Sequence, residues 1–249
     1  MQETGKNKTA AVVLAAGSGK RMGTKEAKQY LLLRDKPVLY YALDAFEKSD
    51  VDDVILVTGQ QDIERCREEI VERYGFTKVR RIVAGGRQRY DSVAEGLFAL
   101  SESYGEEPGN IVLIHDGARP FLSRKLIEGL VAETRKYPAC VTGTKVKDTI
   151  KVTDKEGFCL ETPDRESLWA VQTPQAFSFP LILKAYQKLE ENREKLIKEG
   201  VSVTDDACVC ELFTDCRVKV IPGDYLNQKL TTPEDLLLAE TILDAVLGS

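Results

Sequence analysis

Short apolar runs alternate with longer amphipathic stretches through the first 144 residues, and that alternation restricts the fold more than any other feature of the chain. The pattern predicts strands over 10–15, 53–58, 79–83, 111–115 and 139–144, with helices over 37–48, 61–74, 90–102 and 123–136 between them. Strands that are apolar throughout, such as Ile111 to Ile114, must be covered on both sides, so the alternation implies an α/β fold with a parallel sheet and helices on both faces. Sheets of this kind bind ligands at the carboxyl ends of their strands.

The rhythm breaks after residue 144. Residues 145–161 are polar and alternating, with a turn signature at Asp154-Lys-Glu-Gly157, and they predict a protruding β-arm. Such an arm suits an oligomer contact or a simple surface flap. Helices resume over 178–196, 204–212 and 233–247, with a strand near 217–221, and Thr232-Pro233 reads as the start of the last helix. The charged run from Glu190 to Lys198 reads as a solvated helix face or loop. With no internal repeat and no low-complexity linker, 1–249 reads as one domain into which the arm, 145–161, is inserted.

Composition excludes several classes. The net charge of −5 offers no general attraction to nucleic acid. No apolar run approaches a membrane span, and Met1 to Lys8 lacks the apolar core of a signal peptide, so a cytoplasmic protein is expected. The six cysteines form no C-x-x-C pair and there is a single histidine, His115, which disfavours an ordinary zinc site. The cysteines read as small buried groups of a reducing compartment.

The loop after the first strand, Leu14-Ala-Ala-Gly-Ser-Gly-Lys-Arg-Met22 followed by Lys28-Gln-Tyr30, carries the strongest chemical signal. Gly17, Gly19 and Gly23 miss the dinucleotide spacing by one residue, and Gly19-Lys20 is followed by Arg21 where a P-loop needs Ser or Thr. What is left is a backbone nest for phosphates flanked by the cations Arg21 and Lys28, or else a tight strand-to-helix turn with solvated charges. Gly85-Gly86, leading through Arg87 and Arg89 to Asp91 and Ser92, suits a base or ribose, or a helix N-cap. In Ile114-His-Asp-Gly-Ala-Arg-Pro-Phe121, Asp116 stands where a strand-end carboxylate would contact Mg²⁺ or a substrate hydroxyl, or form a turn. Arg119 could clamp a phosphate or a hydroxyl, and His115 reads as a structural histidine. Thr162-Pro-Asp-Arg165, Gln172-Thr-Pro-Gln-Ala-Phe177 and Asp224 to Asp235 each look like turns when taken alone.

Taken together, these motifs resemble a known family. The Leu14–Met22 loop with Lys28-Gln-Tyr30 is similar to the signature of sugar-nucleotide nucleotidyltransferases. Asp91-Ser92-Val93, His115-Asp-Gly-Ala-Arg-Pro120, Asp148-Thr149, Thr173-Pro-Gln175, Thr204-Asp-Asp-Ala207 and Lys229-Leu-Thr-Thr-Pro-Glu-Asp235 narrow the resemblance to the 2-C-methyl-D-erythritol 4-phosphate cytidylyltransferases of non-mevalonate isoprenoid synthesis, from about Ala10 to Leu247.

The resemblance implies a Rossmann-like, mostly parallel sheet and a homodimer formed through the arm, with Thr149 reaching the partner's site. It implies Arg21 and Lys28 as transition-state cations, and Arg165 and Lys229 as the groups that orient the acceptor. Contacts to CTP are implied for Ala15, Ala16, Gly17, Ser18, Gly19, Gly86, Asp91, Ser92 and Gly117. Contacts to the sugar-alcohol phosphate are implied for Asp116, Arg119, Thr149 and Thr173, with Mg²⁺, or another divalent cation, at Asp116. Position 117 is Gly where many relatives have Ala. The loop reads only the nucleotide, so ribitol 5-phosphate is the second candidate acceptor; relatives using it tend to read Asp-Ala-Val-Arg-Pro where this chain has Asp116-Gly-Ala-Arg-Pro120. Arg21, Lys28, Asp116, Arg165 and Lys229, all present, argue against a non-catalytic nucleotide-binding protein.

Overall fold

The computed structural model describes residues 7–17, 27–105, 107 and 109–247, without the side chains of 245–247. In chain order the elements are β1 (Thr9–Ala15), β2 (Leu32–Leu33), β3 (Lys36–Pro37), α1 (Val38–Glu47), β4 (Asp53–Thr58), α2 (Ile63–Cys66), β5 (Val79–Ala84), α3 (Arg89–Ser101), β6 (Ile111–Asp116), α4 (Arg124–Thr134) and β7 (Ala139–Lys145). They continue with β8 (Val152–Thr153), β9 (Cys159–Glu161), β10 (Trp169–Ser178), α5 (Phe179–Glu199), α6 (Asp206–Phe213), β11 (Lys219–Pro222) and α7 (Pro233–Leu247).

Among the described residues, seven strands form the main sheet in the order β11-β7-β10-β6-β1-β4-β5. β10 runs antiparallel to both β6 and β7, and the other pairs are parallel. The period of two along each strand divides its side chains between two cores. Val12, Ile55, Val57, Val112 and Ile114 join α3, α5 and α6 on one face, and Val13, Val54, Leu56, Ile111 and Leu113 join α1, α2 and α4 on the other. A third, smaller cluster seats Ala239 and Leu243 of α7 on Leu33, Val38, Phe121 and Leu230. No helix among the described residues is long and apolar enough to cross a membrane.

The arm is a two-stranded ribbon of β8 and β9. Asp154 accepts from the N–H groups of Glu156 and Phe158 in its turn, and Gly157 there has φ +91°, a conformation glycine adopts without strain. The charged run 190–198 forms the mostly exposed C-terminal part of α5. Arg67–Glu72, expected as ordinary α-helix, is wound as a π-helix after α2. Of the six cysteines, all free, Cys66, Cys140 and Cys210 are buried; Cys159 is exposed, and Cys208 and Cys216 are half-buried.

The largest difference from the sequence expectation is β10. Gln172 to Phe177 reads as a turn because it is polar and contains Pro174, which cannot donate to a ladder. In the structure the segment is a buried central strand, and its pairing with β7 shifts register between Val171 and Gln175, around the proline. α3 also begins differently. Its cap is Gln88, whose N–H donates to Asp91 at 2.9 Å in a capping box, and not Asp91 or Ser92 themselves.

Candidate active site

The carboxyl ends of β1 and β6 and the turn after β5 meet at one crevice, which holds two adjoining cavities. The first, about 400 Å³, is lined by Ala15, Ala16, Gly17, Lys28, Gln29, Gly86, Ser92 and Ala118 among others. The second, about 290 Å³, is lined by Arg119, Gln172, Thr173, Gln175, Thr204 and Asp205 among others. Arg89, Asp116 and Lys229 line both and form the wall between them.

Each wall is braced by hydrogen bonds from distant sequence. The 3-10 turn Lys28–Tyr30 folds back on the end of β1: Gln29, buried, donates to the Ala15 carbonyl at 2.6 Å, and the Tyr30 hydroxyl lies 2.9 Å from Thr58 Oγ1 at the end of β4. This leaves Lys28 at the cavity, its Nζ donating to the Leu230 carbonyl at 3.0 Å. Gly86 N–H donates to Ser92 Oγ at 3.2 Å, which fixes the turn before α3.

Asp116 is the electrostatic centre. One carboxylate oxygen accepts from Arg89 Nε at 3.1 Å and the other from Lys229 Nζ at 2.5 Å. Burial alone would raise its pKa; Arg89 and Lys229 outweigh burial and hold the carboxyl well below the ordinary range, so it stays ionised. Arg89 itself is gripped by Asp206 at the start of α6, through Nη1 at 2.9 Å and Nη2 at 2.8 Å. Burial opposes that guanidinium charge, but Asp206 and Asp116 keep its pKa well above the ordinary value. Tyr186 donates to Asp206 at 2.6 Å and stays protonated, because burial and then Asp206 push its pKa up. Gln175 fixes α6 in turn: its Oε1 accepts from the N–H groups of Asp206 and Ala207, and its Nε2 donates to Asp205.

His115 lies behind this wall, wholly buried between Thr173 Oγ1 and the Arg119 carbonyl. Burial lowers its pKa to about 4, so the ring is neutral at pH 7. It lines neither cavity.

Of the residues picked from the sequence, the fold brings Ala15, Ala16, Gly17, Lys28, Gly86, Ser92, Asp116 and Lys229 to the first cavity, and Arg119 and Thr173 to the second. Gly117 lies behind the first cavity: its N–H donates to the Leu14 carbonyl at 2.9 Å, and Ala118 faces the space instead. Asp91 is engaged as the α3 cap and in an ion pair with Arg193 at 2.6 Å, away from either cavity. Thr149 and Arg165 stand exposed in the arm region outside both cavities, with Arg165 Nη1 donating to the Lys147 carbonyl. Ser18, Gly19 and Arg21 lie outside the described residues.

Sequence reasoning gave no role to Arg89, Gln175 or Asp206. Each lay in a stretch that the sequence singled out, Arg89 after Gly85-Gly86, Gln175 in Thr173-Pro-Gln175 and Asp206 in Thr204-Asp-Asp-Ala207, but nothing local showed that Arg89 and Asp206 pair across 117 positions.

Comparisons with known proteins agree with this geometry. A family model described as 2-C-methyl-D-erythritol 4-phosphate cytidylyltransferase matches residues 9–245. A protein of that name from Lachnoclostridium phytofermentans is 44% identical over 236 residues, covering 95% of this chain and 96% of that one. Another, from Clostridium botulinum strain Eklund 17B, is 45% identical over 235 residues, covering 94% and 98%. The crystal structure of 4-diphosphocytidyl-2C-methyl-D-erythritol synthase from Anaerococcus prevotii superposes with a TM-score of 0.77 at 34% identity, covering 96% of each chain. Sheet order, glycine loop and the Asp116 crevice therefore sit in a chain matched over nearly its whole length, and the chain belongs to the 2-C-methyl-D-erythritol 4-phosphate cytidylyltransferase family.

Proposed function

We propose that the chain transfers CMP from CTP to 2-C-methyl-D-erythritol 4-phosphate, giving the CDP-linked product and pyrophosphate. The observation that carries this reading is the pair of cavities joined at Asp116, one lined by Ala15, Ala16 and Gly17 and one beside Arg119 and Thr173. CTP occupies the first, held by Ala15, Ala16, Gly17, Ser18, Gly19, Gly86 and Ser92. The acceptor occupies the second, against Asp116, Arg119 and Thr173.

An oxygen of the acceptor phosphate attacks the α-phosphorus in line. The new P–O bond forms as the bond to the bridging oxygen breaks, and pyrophosphate leaves with that electron pair. The attacking phosphate is already ionised at neutral pH, so no general base is needed, which agrees with a neutral His115 outside both cavities. Catalysis is then positioning together with stabilisation of spreading negative charge. Arg21 and Lys28 carry the latter role. Arg165 and Lys229 orient the acceptor phosphate.

Among the described residues, no group of three or more His, Cys, Asp or Glu side chains could cage a metal ion. Among the described residues, the first cavity presents the single carboxylate Asp116, which has about four acceptor sites and gives two of them to Arg89 and Lys229. That donor set fits an Mg²⁺ ion that arrives on the triphosphate and keeps most of its water, with Asp116 as its protein ligand. Bound there, Mg²⁺ would neutralise triphosphate charge.

The reading includes a homodimer built by the arm, 145–161, on a single nucleotidyltransferase unit spanning 1–249. Ile150, Val152, Phe158 and Leu160 present apolar side chains to solvent there, with Phe158 68% exposed and Leu160 67%. Thr149 and Arg165 lie outside their own chain's cavities, as residues delivered to a partner would. Six free cysteines support a reducing compartment, the cytoplasm.

Pyrophosphate release with CTP and Mg²⁺ tests the assignment. It should be fast with methylerythritol phosphate and slow with ribitol 5-phosphate. Release with ribitol 5-phosphate alone would overturn the acceptor, and CTP binding without release from either would overturn the catalytic reading.

A further inference from the structure

Lys229 reaches the wall between the cavities from the loop 224–230, and loops have little stiffness of their own. Its path is set by contacts with β10 and the turn after β6. Gln172 grips the start of the loop, its Nε2 donating to the Asp224 carbonyl at 2.9 Å and its Oε1 accepting from the Asp224 N–H at 3.3 Å. At the far end, Leu230 N–H donates to the Ala118 carbonyl at 2.9 Å. Between these grips Tyr225, Leu226 and Gln228 are exposed, whereas Asn227 is wholly buried.

The Asn227 side chain points inward to β10, where its Nδ2 donates to the Thr173 carbonyl at 2.9 Å. Its own backbone carbonyl accepts from Arg119 Nη1 at 2.7 Å. Asn227 lines neither cavity. A buried amide that lost this acceptor would keep an unsatisfied donor, so the contact resists displacement.

We propose that Asn227 is a positioning residue for the acceptor site: its side chain fixes the loop so that Lys229 stands at Asp116, with Arg119 braced by the same loop. This rests on the reading of Lys229 as the group that orients the acceptor phosphate.

A double-mutant cycle on acceptor kcat/KM, at saturating CTP, tests it. Asn227→Ala should lower acceptor kcat/KM by roughly 10- to 100-fold, the scale of a reacting group misplaced by about 1 Å, with most of the loss in KM. In a Lys229→Ala background the same substitution should cost less than about 3-fold, because the group it positions is gone. A purely structural role would instead give losses that multiply in the double variant, and that result would overturn the proposal. If Asn227→Ala does not fold, Asn227→Asp keeps the size and removes the Nδ2 donor, and it is read by the same cycle. No turnover in the unmodified enzyme would overturn the functional reading and this role with it; turnover with multiplicative losses would overturn this role alone.

Discussion

Arg89 and Asp206 form a two-pronged ion pair, with Nη1 and Nη2 at 2.9 and 2.8 Å from the two carboxylate oxygens, while Nε of the same guanidinium turns to Asp116 at 3.1 Å. One side chain thus ties the start of α6 to the end of β6. The Asp206 side chain is wholly buried and that of Arg89 is 28% exposed, so neither charge is well solvated if the other is removed. Asp206→Ala should destabilise the protein by about 3–5 kcal/mol, measured by urea unfolding, because it leaves a largely buried cation with half its partners. Arg89→Lys keeps the charge but loses the fork, and Asp116 then loses its fixed neighbour. Its acceptor KM should rise while its stability falls less than that of Asp206→Ala. Equal stability of Asp206→Ala and the unmodified protein would show that the pair does not hold α6.

Gly85 sits where Ala16, just after β1, meets Ser92 in the first turn of α3. A Cβ there would stand 2.5 Å from the Ala16 Cβ and 2.6 Å from Ser92 Oγ. Ala16 and Ser92 both line the first cavity, so the added methyl would push its two sides apart. Overpacking of this kind costs about 1–3 kcal/mol, which corresponds to roughly 5- to 150-fold in affinity if it falls on binding. Gly85→Ala should therefore raise KM for CTP within that range and change acceptor KM less than about twofold. Steady-state kinetics with each substrate varied in turn would check this, and an unchanged CTP KM would mean that the loop yields freely.

The strands β1, β4 and β6 were legible in the sequence because burial on both faces demands apolar runs, and the edge strand β5, with Arg80 and Arg81 exposed, and β7 were legible from shorter apolar runs in the same alternation. That Ala15, Ala16, Gly17 and Lys28 share one cavity was legible because their motif is local. β10 was not. Its central residues Gln172, Thr173 and Gln175 are polar because they serve distant partners, Asp224, the N–H of Asp116, and the α6 start. A polar residue satisfied at long range looks, in one sequence, like a residue facing water. The same reason hid Arg89 and Asp206, whose pairing spans 117 positions. Gly117 differs in the opposite sense: its place in a motif suggested a nucleotide contact, and in the structure its N–H closes the turn on Leu14 while Ala118 lines the cavity.

His115 should make stability pH-dependent. Its folded pKa is lowered by burial to about 4, against 6.5 for the unfolded side chain. Between those values the unfolded chain binds a proton that the folded chain refuses, so stability is full above pH 6.5 and is lost as pH falls toward 4. From pH 7 to pH 5 the loss from this one group is about 2 kcal/mol. Urea titrations across that range, compared between the unmodified protein and His115→Asn, isolate the effect, since the variant should have a flatter profile. Parallel profiles would show that the folded chain takes up the His115 proton as readily as the unfolded chain does.

The arm offers the clearest test of assembly. Phe158 and Leu160 lie on a two-stranded ribbon too small to build a core, and both are about two-thirds exposed. In an isolated chain, removing their apolar surface costs nothing and improves solubility. In a dimer that buries them, a charge at either position strips contacts and places an unpaired ion in an apolar interface, which is strongly unfavourable. Phe158→Glu and Leu160→Lys should each shift the protein from dimer to monomer in light scattering at micromolar concentration, with thermal unfolding of the chain itself little changed. Because Thr149 and Arg165 are carried by the same region, the monomeric variants should also lose acceptor kcat/KM by on the order of 10²-fold, the scale of a lost charge-stabilising contact, while CTP still binds. Activity that survives in a monomer would show that each crevice is complete without a second copy.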